Sequence, residues 1–226
     1  LVFYERLVIQ ARKLNSIKYT TKFGGANGNF NAHHMALPNI DWIEFANKFV
    51  QIFGLERNQY TTQVDHYDNY AEIFDNIKRI STILVDFARD IWIYISNNYL
   101  VQKCVKEEVG SSTMPHKINP INFENSEGNL GISNSLMGFF ADKLSKSRLQ
   151  RDLSDSTVLR NLGIGFGYGY LGIVSCIQGL NKIQPNKLKI SSELSNNWQI
   201  LAEALQIAMK LEGYENAYEE IKRITR

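Results

Sequence analysis

Tyr70, Ile73, Ile77, Ile80, Leu84, Phe87, Ile91 and Tyr94 follow one another at alternating steps of three and four residues. This is the spacing of a helix seam, sustained over more than three heptads. It predicts one helix over about 67–100, roughly 50 Å long at ~1.5 Å per residue. Asp75, Lys78, Arg79, Asp86 and Arg89 mark its other face as solvated or partner-facing. A helix of that length needs other long helices beside it, from this chain or from copies of it.

Shorter helical patterns flank it. One is expected over 1–18. Asp41 is placed to cap another that runs to Phe53, with Gly54 just past its end. Glycines 24, 25 and 28 and Pro38 mark a loop between them, and further loops are expected over 56–68 and 105–119. Asn119-Pro120 reads as a cap followed by proline in the first turn of a helix over 120–144. Helices over 156–180, 192–211 and 217–225 complete the pattern, with Pro185 as a break. There is no alternating strand pattern of useful length, no internal repeat and no low-complexity segment. The expected fold is all-α, a bundle of long helices.

Composition narrows the function classes. Hydrophobic residues make up 44% and charged residues 21%, as in globular domains. The net charge of +2 gives no support for nucleic-acid binding. Two cysteines, Cys104 and Cys176, cannot build a disulfide framework or a four-ligand zinc site alone, and they fit a reducing, cytoplasmic setting. The chain opens on Leu1 without the basic and apolar pattern of a signal peptide, and a segment upstream is expected. Residues 161–181 carry no charge and are long enough to span a bilayer, but they hold six glycines. They read as a helix buried on all sides within a bundle. Gly167, Gly169 and Gly172 match a G-x-G-x-x-G pattern, yet no strand precedes them, so close helix packing explains them better than a dinucleotide. His33 and His34 are adjacent and cannot face one metal from a regular helix. Residues 65–68 read as a solvated loop rather than a cation site.

The segment 110–120 is different. Gly110 adjoins Ser111, Ser112 and Thr113, and Lys117 and Asn119 stand just before a helix start. The amides and dipole of that start favour an anion. The sum is a hydroxyl-rich loop beside a corner that suits a carboxylate or a phosphate.

The run Ser-Ser-x-Met-Pro-x-Lys-x-Asn-Pro over 111–120 resembles the signature of the fumarase/aspartase superfamily of β-eliminating lyases. The continuations over 122–129 and 150–161 narrow the resemblance to the branch that acts on succinylated purine nucleotides. The runs 28–33 and 60–63 are similar to its bacterial form. The resemblance covers nearly the whole chain. It implies an all-α fold of three domains, with 1–182 as the central helical bundle and 183–226 as the beginning of a helical C-terminal domain. It implies a homotetramer whose active sites are shared between subunits, a small-molecule nucleotide substrate, no nucleic acid and no membrane partner. The implied reaction is β-elimination of fumarate from adenylosuccinate, leaving AMP, and from succinylaminoimidazole carboxamide ribotide, with no metal or organic cofactor.

The resemblance also assigns roles. Ser111 matches the general base, Lys117 the cation that stabilises the alkoxide or the carbanion, and Glu124 an acidic position that pairs with a histidine. Gln63, Ser112, Asn119 and Asn125 match substrate contacts. Arg151, Ser156, Thr157 and Arg160 match the nucleotide-binding group, in which two arginines and a helix-starting Ser-Thr pair form a phosphate seat. The general acid, a histidine in a Thr-His-Gly-Gln-Pro type motif, is expected upstream of Leu1, and none of the four histidines here matches it. This chain is therefore expected to be a fragment with little activity alone. The alternatives are another superfamily lyase, of the argininosuccinate lyase or fumarase type, and a non-catalytic helical assembly fragment.

Overall fold

A computed structural model describes residues 1–103 and 119–225. The expected roles of Ser111, Ser112 and Lys117 lie outside the described residues. The fold is the all-α bundle of long helices expected from the sequence. The described residues form two compact units, 1–92 with 119–181 and 93–103 with 182–225.

The first unit is built on four long helices: α1 (Val2–Ser16), α4 (Asp68–Ser96), α5 (Ile121–Leu144) and α7 (Leu162–Lys182). The short helices α2 (Asn31–Ala36), α3 (Trp42–Gln51) and α6 (Ser154–Leu159) sit in the connections. Neighbouring long helices run antiparallel. Phe3 of α1 meets Phe87 of α4 edge-on, with ring centroids 5.3 Å apart, and Arg6 pairs with Asp86 at 2.6 Å. The α4–α5 contact runs from Phe74–Phe140, through Asn134 donating to Thr82 at 3.2 Å, to Arg89–Glu127 at 2.6 Å. Phe74, Met137, Phe140, Ala141, Leu144 and Val158 form a buried core cluster.

Glycine decides how α7 meets α5. Gly165, Gly169, Gly172 and Gly179 are buried along one stripe. A Cβ on Gly172 would lie 2.5 Å from Leu130 Cγ, and one on Gly179 would lie 2.8 Å from the Phe123 ring. The buried Ser133 hydroxyl donates to the Gly165 carbonyl at 2.9 Å and ties the two helices together. The G-x-G-x-x-G pattern is therefore a helix-packing surface. The expectation that 161–181 is buried on all sides is corrected. Within the single chain only the glycine stripe and Cys176 are buried, while Ile164, Phe166, Tyr170, Leu171, Ile173, Ile177 and Leu180 are exposed on α7. Among the described residues no helix is long and apolar enough to cross a membrane.

The seam expected on α4 is also displaced. Its buried residues are Phe74, Asn76, Ser81, Ile83, Ala88 and Ile91, and only Ile91 belongs to the predicted set. Ser81 and Ala88 are small, and a count of large apolar residues misses them. Asn76 is accommodated by donating to Gln10 of α1 at 3.3 Å.

Other boundaries shift for local reasons. Asp41 caps α3 as expected, accepting from Glu44 N at 2.9 Å, and Gly54 has φ +71°. The helix expected over 156–180 is two helices, α6 and α7, separated at 160–161. The loop expected over 56–68 begins with β2 (Glu56–Arg57), which pairs in parallel with β1 (Thr20–Thr21). Such two-residue strands leave no alternating pattern to find.

In the second unit, β3 (Leu100–Gln102) and β4 (Ile183–Pro185) pair antiparallel, with Val101 opposite Gln184. Pro185 ends this strand instead of simply breaking a helix. Helix α8 (Lys187–Asn196) follows, capped by Asn186, whose side chain accepts from Lys189 N. A 3-10 turn (Trp198–Leu201) separates it from α9 (Ala202–Leu211), so the single helix expected over 192–211 is divided. Helix α10 (Ala217–Thr225) packs on α9.

Candidate functional site

The glycine-rich turn after β1 and the segment after β2 are pressed together. Gly28 has φ +79°, and a Cβ there would fall 2.1 Å from the Thr61 carbonyl oxygen, so only glycine fits. Lys22 donates through Nζ to the carbonyls of Gly25 and Gln63, both at 2.6 Å. Burial holds the Lys22 ammonium below its ordinary pKa, with nearby Asp65 opposing the shift. Arg57 fixes the same region from inside. Its buried guanidinium donates to Asn47 at 2.8 Å, to the Phe23 carbonyl at 3.2 Å and to Gln59, and it lies over the Phe30 ring.

Beyond this support lies a groove of about 390 Å³, lined in part by Thr61, Thr62, Asp65, His66, Ser145 and Leu149. The Thr62 hydroxyl donates to the Gln150 carbonyl at 3.0 Å, which joins Gln63 and Arg151 at one end of the bundle. Arg151 is exposed. Burial raises the Tyr67 hydroxyl pKa, and the carboxylates of Asp155 and Asp65 add to this while Arg151 opposes it. Phe30, Tyr67 and Leu149 have φ between +50° and +58°, a rare conformation for side chains of this size. Strained backbone of this kind collects where a surface must hold a particular shape.

Asp152 organises the linker between α5 and α6. Its carboxylate accepts from Ser154 N at 3.0 Å, from Ser154 Oγ at 2.8 Å and from the Arg148 guanidinium at 3.2 Å, with Lys143 Nζ at 3.6 Å. The Arg148 bond, then the two Ser154 bonds, hold its pKa far below the ordinary carboxylate range. This moves the helix start expected at the Ser156-Thr157 pair. Helix α6 starts at Ser154, not at the Ser156-Thr157 pair, because Asp152 captures the first amide. The Ser156 hydroxyl donates to the Leu153 carbonyl at 2.8 Å, and the Thr157 carbonyl accepts from the Asn161 amide at 2.9 Å. Thr157 and Arg160 are exposed.

The remaining described candidates lie at the other end of α5. Pro120, not Asn119, is the capping residue, because the helix begins one position later than expected. Glu124 stands in the first turn, where the helix dipole favours it, and accepts from Trp92 Nε1 at 3.1 Å. Among the described residues no hydrogen bond or ion pair joins it to the expected histidine. Asn125 is exposed. From Asn125 to Leu144 is 19 residues, or about 28 Å along the helix axis. One copy of the chain therefore brings Gln63 and Arg151 together and holds Asn119, Glu124 and Asn125 far from them.

Sequence reasoning missed Lys22, Arg57, Asp152 and Trp92. Asp152, two positions before a helix-starting serine, carried a capping signal that was legible. Lys22 and Arg57 act on backbone carbonyls distant in sequence, which no local motif reveals. No group of three His, Cys, Asp or Glu residues that could hold a metal occurs among the described residues.

The antiparallel helical bundle, with its candidate residues split between the two ends of α5, has the architecture of a helical lyase. A family model described as Lyase matches residues 3–136, and the chain belongs to that family. A second, described as Adenylosuccinate lyase C-terminal, matches residues 147–226. Relatives point the same way. The adenylosuccinate lyase of Dictyostelium discoideum is 51% identical over 100% of this chain and 49% of its own length. That of Escherichia coli strain K12 is 49% identical over 98% of this chain and 48% of its own. That of Legionella pneumophila strain Corby is 50% identical over 99% and 49%. The chain spans about half the length of the curated relatives it matches. Among solved structures, the 3-carboxy-cis,cis-muconate lactonizing enzyme of Pseudomonas putida superposes with a TM-score of 0.70 over 98% of this chain and 48% of that one. At 18% identity, that likeness concerns the fold alone.

Proposed function

We propose that the protein carrying this chain is an adenylosuccinate lyase of purine nucleotide biosynthesis. It eliminates fumarate from adenylosuccinate to leave AMP, and from succinylaminoimidazole carboxamide ribotide. The observation that carries the reading is identity at about half of the positions, over nearly the whole chain, to enzymes of that name. Ser111, as an alkoxide held by Lys117, takes a proton from the succinyl carbon beside a carboxylate. The C–N bond then breaks, its electron pair passes to nitrogen, and that nitrogen takes a proton from a histidine supplied upstream of Leu1. Asn119 and Lys117 hold the growing negative charge on the carboxylate. Ser112, Asn125 and Gln63 contact the substrate, and Arg151, Ser156, Thr157 and Arg160 hold the nucleotide. Glu124, hydrogen-bonded to Trp92, sits on the acid side of the pocket. The chemistry draws on no metal or organic cofactor.

Residues 1–182 serve as the central bundle and 183–226 as the beginning of a C-terminal domain. The protein acts in the cytoplasm as a homotetramer with shared pockets. The separation of the two residue groups along α5 supports sharing, since a substrate of nucleotide size does not bridge ~28 Å. The exposed apolar face of α7 favours burial against other copies. The 226-residue chain alone is a helical assembly fragment with little turnover.

The test is ultraviolet absorbance of the complete protein with adenylosuccinate. Turnover is expected, with Ser111→Ala nearly abolishing it while substrate binding persists. No reaction with adenylosuccinate alongside turnover of argininosuccinate or malate reassigns the enzyme within its superfamily. Normal turnover by Ser111→Ala removes the base assignment.

A further inference from the structure

We infer that Lys22 is a positioning residue for Gln63, acting through the main chain; this deepens the functional reading above and rests on it. Three contacts converge on residues 61–63. The Gly28 backbone presses against the Thr61 carbonyl, in a space where no Cβ fits. The Thr62 hydroxyl bonds the Gln150 carbonyl at 3.0 Å. The Lys22 ammonium bonds the Gln63 carbonyl at 2.6 Å, 41 positions away in sequence, and the same nitrogen bonds the Gly25 carbonyl at 2.6 Å. Charge-assisted bonds of this length are about twice as strong as neutral ones. One cation thus sets the glycine turn and the Gln63 backbone at a fixed separation, while Gln63 itself is exposed toward solvent. Both hydrogen bonds of the Lys22 ammonium go to main-chain carbonyl oxygens. Its place is under the residue that touches substrate, where an error of about 1 Å can cost as much as 10²-fold in rate.

The experiment uses the complete protein and compares Lys22→Met, Lys22→Arg, Gln63→Ala and the Lys22→Met/Gln63→Ala double variant. Lys22→Met should raise KM for adenylosuccinate by about tenfold, with a smaller fall in kcat, and Lys22→Arg should recover part of the loss. In the Gln63→Ala background Lys22→Met should add little, because the route to substrate runs through Gln63. Amide hydrogen exchange over 60–66 should quicken in Lys22→Met without substrate. An unchanged KM overturns the proposal whatever happens to Tm, since a lysine that only stabilises the fold moves Tm alone. Full additivity of the two substitutions overturns it too. Should Lys22→Met fail to fold, Lys22→Gln decides, with wild-type KM and wild-type exchange as the refuting result. If the wild-type protein does not act on adenylosuccinate, the functional reading falls, and exchange over 60–66 still judges Lys22.

Discussion

Replacing Gly172 with alanine tests how tightly α5 and α7 are packed. An added Cβ would stand 2.5 Å from Leu130 Cγ, 2.8 Å from Leu130 Cδ2 and 3.2 Å from the Leu130 backbone nitrogen. Carbon atoms prefer ~3.5–4.0 Å, so the closest contact is about 1 Å too short. Leu130 is fully buried and cannot swing into solvent. The nearby backbone nitrogen means that the helices themselves must part. Overpacking of this kind costs about 1–3 kcal/mol, and the upper half of that range applies because both a side chain and a backbone must yield. Alanine recovers about 1 kcal/mol through its better helix propensity. The net expectation is a loss of about 1–2 kcal/mol, or a fall in Tm of roughly 2–8 °C for a chain of this size. Gly167→Ala is the matched control, since nothing lies within 4 Å of its Cβ position. It should gain about 0.5–1 kcal/mol. Urea titrations followed by circular dichroism at 222 nm measure both. A Gly172→Ala protein as stable as wild type, or more so, refutes the packing argument.

Other substitutions probe separate links. Ser133→Ala removes the buried bond to the Gly165 carbonyl and should cost about 0.5–1.5 kcal/mol in the same titration. Asp152 has a folded pKa below its ordinary value of 3.8, so its contribution is present above about pH 4 and is lost as pH falls through the lower folded value. Asp152→Asn should therefore lower Tm near pH 7 and flatten the decline of Tm below pH 4, and a slope equal to wild type contradicts the assignment. Lys117→Ala in the complete protein should reduce the rate of fumarate release by about 10²–10³-fold. A change below threefold removes it from the charge-stabilising role.

The helices were legible because their signals are local. Asp41 at the start of α3, Gly54 after it and the long periodic run of α4 all show in short windows of sequence. The break at 160–161 was hidden because Arg160 and Asn161 read as an ordinary polar helix surface and no proline stands there. The buried stripe of α4 was misread because Ser81 and Ala88, chosen for size, leave no hydrophobic mark. At the candidate site, Gln63, Arg151 and the α5 positions came from motif resemblance. Their division between the two ends of one helix could be read only once the register of that helix was known. Lys22 was invisible for another reason: a lysine that bonds two carbonyls looks the same in sequence as one on the surface.

The length of α5 also carries a genetic meaning. Under the shared-pocket proposal, a lesion near Asn125 and one near Arg151 spoil different members of each pocket. Two alleles, each inactive when alone, can then rebuild some intact pockets in a mixed assembly. Two alleles damaged at the same end have no such remedy.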